Sequence, residues 1–156
     1  MFFHDMRRLE RIQRLTMSLG DAWTFFSDPA NLPVITPPEL GFTMAGPLPP
    51  RMHPGMIASY TVTPFGLIRL GWITEITHVE EPHFFVDEQR FGPYRFWHHQ
   101  HHMREVPGGV EMHDIVHYIL PFAPFSRIIA GQVAKQLDTI FDFRHKTLQK
   151  MFSTTL

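Results

Sequence analysis

The sequence predicts an α+β fold in which a curved antiparallel sheet wraps around one long C-terminal helix. Three observations carry this. Between Gly41 and Leu120, apolar and polar residues alternate in runs separated by Gly/Pro breakers, with no helical period between them. From Phe125 to Phe152 the period changes: Ile129, Val133, Leu137, Phe141, Leu148 and Met151/Phe152 recur at helical spacing, with Ile140 beside them. A helix of that length, about 40 Å at 1.5 Å per residue, crosses a whole sheet. The sheet must curve around it if both apolar faces are to be buried.

The elements follow in order. Arg8 to Met17 alternates and reads as a strand, with Leu9, Arg11, Gln13, Leu15 and Met17 on one side. Ser18-Leu19-Gly20-Asp21 resembles a capping box with Asp in place of Glu. It introduces a short helix over Ala22–Phe26, stopped by Ser27-Asp28-Pro29. A second short helix, Asn31 to Ile35, ends at Pro37-Pro38, because the residue before a proline is pushed out of helical space. Strands are then expected over Gly41–Ala45, Met56–Thr63, Ile68–His78, Phe84–Phe91, Arg95–Val106 and Val110–Leu120, as a sequential meander. On the fourth of the chain's strands, Ile68, Leu70, Trp72, Thr74 and Ile76 share a side. All three lysines (Lys135, Lys146, Lys150) lie on the last helix, mostly opposite its apolar stripe.

Composition narrows the function classes. The 156 residues suit one domain, 1–156, with no internal repeat or boundary. At 44% hydrophobic and 19% charged, the chain is too apolar to be disordered. Its 14 basic and 15 acidic residues leave a formal charge of -1, so no global field recruits nucleic acid. Arg7, Arg8, Arg11 and Arg14 are interleaved with Glu10 and read as a solvated strand edge. No run approaches the roughly 18–20 apolar residues of a membrane span. Met1 to Arg8 lacks the order of a signal peptide, its apolar residues preceding its charges. The absence of cysteine excludes disulfides, thiolate catalysis and Cys-ligated metals. The expectation is a cytoplasmic domain with no integral membrane segment and no nucleic-acid partner.

Histidine is in excess, with six of the 11 lying between His98 and His117. If Phe91 and Arg95 flank a turn, Gln89 faces Trp97 and Asp87 faces His99. If Glu105 and Val110 flank the next, His101 faces Asp114, His99 faces Val116 and Trp97 faces Tyr118. One face then carries Asp87, Gln89, Trp97, His99, His101, Asp114, Val116 and Tyr118, and the other Glu88, Arg90, His98, Gln100, His102, Glu111, His113 and His117. The first face mixes aromatic rings with acid–base pairs and is expected to point inward; the second reads as a solvent face. A slip of one residue in either hairpin would exchange them.

These residues and this element order resemble the helix-grip fold of the START/Bet v 1-like superfamily, also called SRPBCC or polyketide cyclase/dehydrase-like. The resemblance covers nearly the whole chain. Phe85 to Tyr94, Trp97-His98-His99-Gln100-His101, Asp114 to Tyr118 and Asn31 to Pro37 are similar to a bacterial stand-alone subgroup. The resemblance implies a small hydrophobic, amphipathic or lipid-like ligand between sheet and helix, but no particular chemistry, since one fold hosts many functions.

The residues add a polar patch to that cavity. Asp87, Gln89, Trp97, His99, His101, Asp114 and Tyr118 are the expected ligand-binding set, orienting a polar group of an otherwise apolar molecule. The competing reading is a buried hydrogen-bonded ladder that fixes register. A cyclase-, dehydratase- or hydrolase-type enzyme using the same His/Asp groups is the alternative function, and a protein-interaction module is another. His-x-His with Asp87 or Asp114 could ligate a metal, but a strand histidine pair alone is a weak motif, and no metal or cofactor is assigned. Trp23, Phe25, Phe26, Phe84, Phe85, Phe91, Trp97 and Phe141 are expected mostly in the core. Pro64-Phe65-Gly66-Leu67 and Pro121-Phe122-Ala123-Pro124-Phe125 read as apolar loops that pack against a helix end, or alternatively as a mobile apolar cavity mouth that admits a ligand or touches a membrane or partner. The interior should hold a cavity of at least about 300 Å³.

Overall fold

The computed structural model describes residues 5–122 and 125–152. Met1 to His4, Ala123 and Pro124 lie outside them, so the N-terminal leader expectation and the centre of the second mouth loop are not described. Seven strands form one antiparallel sheet: β1 (Arg7–Leu15), β2 (Thr43–Ala45), β3 (Met56–Val62), β4 (Leu70–Glu80), β5 (Phe84–Phe91), β6 (Phe96–Val106) and β7 (Gly109–Ile119). The helices are α1 (Leu19–Phe26) and α2 (Ser126–Phe152). Strand order is β1-β7-β6-β5-β4-β3-β2, so the meander runs unbroken from β2 to β7 and the first strand closes beside the last. The expected arrangement stands.

Local chemistry sets the ends. Ser18 caps α1 by accepting from the Asp21 amide (3.1 Å). The helix therefore starts at Leu19, earlier than the expected Ala22. The reciprocal half of the box is altered, since the Ser18 hydroxyl donates to the Asp21 carboxylate (2.6 Å), a side chain too short to return to the backbone. The second short helix is a 3-10 segment, Pro29–Ile35, with Asp28 capping Ala30 and Pro33 inside it. Proline removes the amides that an α-helix would need there. Gly109 is required by close approach: a Cβ at this position would collide with the Leu15 carbonyl of the neighbouring strand.

Three expectations need correction. The fourth strand begins at Leu70, not Ile68, because the tight turn Pro64–Gly66 leaves Leu67 and Ile68 in solvent, 80% and 66% exposed. Phe91 is 65% exposed rather than core, lying at the end of β5 beyond an irregularity that sets it opposite Ile73. Glu111, expected in solvent, is mostly covered, because Arg14 and Arg104 both lie over its carboxylate.

Helix α2 lies across the sheet. Val133, Leu137, Phe141 and Leu148 are buried, whereas Lys135, Lys146 and Lys150 are exposed. Polar contacts tie it to β1: the Gln13 amide donates to the His145 carbonyl (2.8 Å), and Arg11 pairs with Asp138. The core falls into two clusters. One gathers Trp23, Ile35, Met56, Phe85, Met103, Met112 and Leu148 beneath the short helices. The other gathers Leu9, Trp97, Val116, Tyr118, Leu120, Val133, Leu137 and Phe141.

Candidate functional site

The register expected for the histidine strands is the one observed. Asp87 pairs with His99 across β5–β6, and His101 with Asp114, His99 with Val116 and Trp97 with Tyr118 across β6–β7. His99 and His101 point inward and are 4% and 7% exposed. Their hydrogen bonds cross the register diagonally. His99 Nε2–H donates to Asp114 Oδ1 (2.9 Å) and His101 Nε2–H to Asp87 Oδ2 (2.7 Å). The second nitrogens complete a four-membered box: His101 Nδ1 lies 3.1 Å from Asp114 Oδ1, and His99 Nδ1 lies 3.5 Å from Asp87 Oδ2. Trp97 Nε1–H also donates to Asp87 (3.3 Å).

The box is wedged between the two apolar clusters. The Phe85 ring stacks on His101, centroids 4.1 Å apart, and Phe141 meets His99 edge-on at 5.8 Å. Burial in such surroundings favours neutral groups, and the contacts decide which escape. For His99 burial dominates, joined by repulsion from His101, and its pKa falls despite the two aspartates. For His101 burial also lowers the pKa, but hydrogen bonds to Asp114 and Asp87 and their charges outweigh it, and the pKa rises. Burial pushes both carboxylates up. The histidine contacts reverse this, holding Asp87 below and Asp114 well below the usual range. The box thus biases protonation toward His101 and away from His99, and favours the ionised form of both aspartates.

Beside the box, a cavity of about 280 Å³ opens between the sheet and α2, slightly under the expected size. Asp87, Trp97, His99 and His101 line it; Gln89, Asp114 and Tyr118 do not. Asp114 stands behind the imidazoles. The Gln89 amide closes the β5–β6 hairpin, donating to the Tyr94 carbonyl (2.6 Å) and accepting from the Tyr94 amide (3.1 Å). The regular ladder ends at Glu88–His98, so the pairing of Gln89 with Trp97 is replaced by this side-chain bridge. Tyr118 packs among Tyr94 and Trp97.

Sequence reasoning assigned no site role to several wall residues. Tyr60, Trp72, Thr74, Gln136 and Arg144 all reach the cavity. Burial and the nearby charge of Asp87 push Tyr60 up to about 12, so its hydroxyl keeps its proton. Arg144 was legible in principle. It lies three residues after Phe141 and four before Leu148, on the buried stripe, where a helical period places residues on one face. The mouth is flanked by Pro64, Phe65, Pro121 and Ile129. Phe65 and Phe122 hold left-handed backbone (φ 56° and 61°), which disfavours a side chain by about 1–2 kcal/mol each. Both are half or more exposed, as are Leu67, Phe125 and Ile128.

Asp87, His99 and His101 each offer one ligand atom within 4.8 Å of the others, and could together hold a metal ion. In the observed arrangement these atoms are engaged with one another or with Asp114, so a metal would have to break the box.

A curved seven-stranded antiparallel sheet closed over one long helix, with a cavity between them, is a helix-grip fold. Solved structures agree with it over nearly the whole chain. Protein Ms6760 from Mycobacterium smegmatis superposes with a TM-score of 0.67 at 19% identity, covering 96% of this chain and 92% of its own. A Rhodobacter sphaeroides protein gives 0.66 at 21%, covering 92% and 90%. Ara h 8.0201 gives 0.60 at 12%, covering 93% and 99%. No protein-family model matches the sequence, and no curated protein does. Among the described residues, no helix is long and apolar enough to cross a membrane.

Proposed function

We propose that the protein binds a small hydrophobic or amphipathic molecule in the cavity between the sheet and α2. The observation that carries this is the cavity itself: an apolar space between sheet and helix whose wall includes a hydrogen-bonded His/Asp patch at a single position. Ligand sites combine mostly apolar walls with a few fixed polar groups in this way. Phe65, which lines the cavity and is half exposed, fits an entry route for an apolar molecule, and the described interior is not filled as a pure interaction module would require. Asp87, Trp97, His99 and His101 are proposed as direct wall contacts. Asp114 acts behind them, and Gln89 and Tyr118 shape the hairpin and wall.

An acid–base enzyme is the second reading, favoured by one detail. His99 borders the cavity, burial lowers its pKa and so favours the neutral ring, and its Nδ1 has only a distant neighbour in Asp87 at 3.5 Å. A neutral imidazole with a free nitrogen is a competent base.

Titration with the neutral fluorescent probe N-phenylnaphthylamine tests the binding reading. Saturable enhancement is expected, and Ile140→Trp, which fills the cavity from α2, should abolish it while the circular dichroism spectrum is retained. The absence of a saturable signal, or a signal unchanged in folded Ile140→Trp, would overturn the reading.

A further inference from the structure

Two buried polar side-chain atoms lack a hydrogen-bond partner among the described residues: Trp72 Nε1 and Arg144 Nε. Both are N–H donors, and both belong to residues that line the same cavity. Buried donors without acceptors are rare in native proteins, and each calls for an explanation. Arg144 is the more demanding of the two. Its side chain is only 13% exposed, and among the described residues its one ionic neighbour is Asp114, with Nη1 a loose 3.9 Å from Oδ1. That oxygen accepts from His99 Nε2–H at 2.9 Å and has His101 Nδ1 beside it at 3.1 Å. At 3.9 Å, Arg144 has charge compensation there but no hydrogen bond. The guanidinium instead rests against the Phe141 ring, 4.9 Å from its centroid.

Resting on the binding function proposed above, we infer that the cavity takes an apolar molecule ending in an oxyanion, a carboxylate or similar acid group, with Arg144 as its receptor and Trp72 as a second donor. A guanidinium offers a planar fork of donors that matches two oxyanion oxygens, and it stays charged when desolvated. On the cavity wall Asp87 accepts from His101 Nε2–H (2.7 Å), and Asp114 accepts from His99 Nε2–H (2.9 Å) behind the imidazoles, so both carboxylates are already engaged by N–H donors. The apolar wall from β3, β4 and α2 takes the rest of the molecule.

Two probes of the same body test this: N-phenylnaphthylamine, which is neutral, and anilinonaphthalene sulfonate, which adds an oxyanion. The reading is the ratio of their dissociation constants. The wild-type protein should prefer the sulfonate by about tenfold or more, since hydrogen bonds to a charged group are the strong ones. Arg144→Gln should bring the ratio close to one, and Trp72→Phe, which removes only the donor, should lower it less. Should Arg144→Gln fail to fold, Arg144→Lys keeps the charge, loses the fork, and should lose several-fold of the preference. A wild-type ratio near one, or a preference unchanged in the Arg144 variants, would overturn the inference while leaving the cavity reading intact. If neither probe binds, the cavity reading falls and this inference with it.

Discussion

Strand β6 carries histidines on both faces and β7 on the outer face alone, and the two sets behave as different residues. On the outer face, His98 pairs with Glu88 (2.8 Å) and His113 with Glu10 (2.6 Å), in contacts open to water. His102 and His117 lie among other imidazoles, with His117 also near Arg8; burial lowers both, and these neighbouring charges add to it. On the inner face, one residue away in each case, His99 and His101 are locked to the buried Asp114 and to Asp87, half-buried on the cavity wall. The difference is the dielectric around them. A water-facing imidazole–carboxylate contact is screened and contributes little, whereas the same contact inside is strong when complete and costly when broken.

The largest expected effect follows from breaking the inner set at its hub. Asp114→Ala strips the acceptor from His99, His101 and the neighbourhood of Arg144 at once. It should destabilise the protein by about 3–5 kcal/mol, the range for removing one partner of a buried pair. His113→Ala, an outer counterpart on the same strand, should stay within about 0.5 kcal/mol. Urea unfolding of the two variants measures the contrast.

A smaller effect should separate the inner histidines from each other. His101 is held by both carboxylates and stacked under Phe85, whereas His99 has one close partner and faces the cavity. His101→Ala should cost about 2–3 kcal/mol and His99→Ala about 1 kcal/mol, within the range for lost buried hydrogen bonds. The order should reverse for N-phenylnaphthylamine binding, with His99→Ala the weaker binder. Thermal unfolding and probe titration of the same samples give both numbers.

The smallest effect is in the pH dependence. The folded pKa of His101 is raised, so its contribution is full below the ordinary value of about 6.5 and fades as pH rises through the folded value. The folded pKa of His99 is lowered, so its contribution is present above about 6.5 and lost as pH falls through the folded value. The lowered aspartates add a further loss in stronger acid. Stability should therefore peak near pH 6.5. Removing both inner imidazoles with His99→Ala/His101→Ala should flatten the neutral part of the profile, measured by urea midpoints across pH.

How much of this was legible depended on which periodicity held the information. Two turns fixed the register, and the register fixed which histidines face inward; both follow from a period of two and from the position of breakers such as Pro107-Gly108-Gly109. The diagonal hydrogen bonds were not legible, because an imidazole reaches beyond its cross-strand partner and the reach depends on strand twist. Arg144 escaped because attention to apolar residues hides a charged member of a buried stripe. The exposure of Phe91 escaped because it depends on a local irregularity in the β4–β5 ladder. Nothing in a hydropathy pattern records such a shift.

The central claim, that an apolar molecule occupies the space between sheet and α2, has a direct spectroscopic test. The chain has three tryptophans, hence three indole N–H resonances in a proton–nitrogen correlation spectrum. Trp72 and Trp97 line the cavity, whereas Trp23 belongs to the cluster beneath the short helices. On adding N-phenylnaphthylamine, the Trp72 and Trp97 resonances should shift along a saturable curve while Trp23 stays in place. Three stationary resonances at saturating probe, or movement of Trp23 alone, would contradict the account.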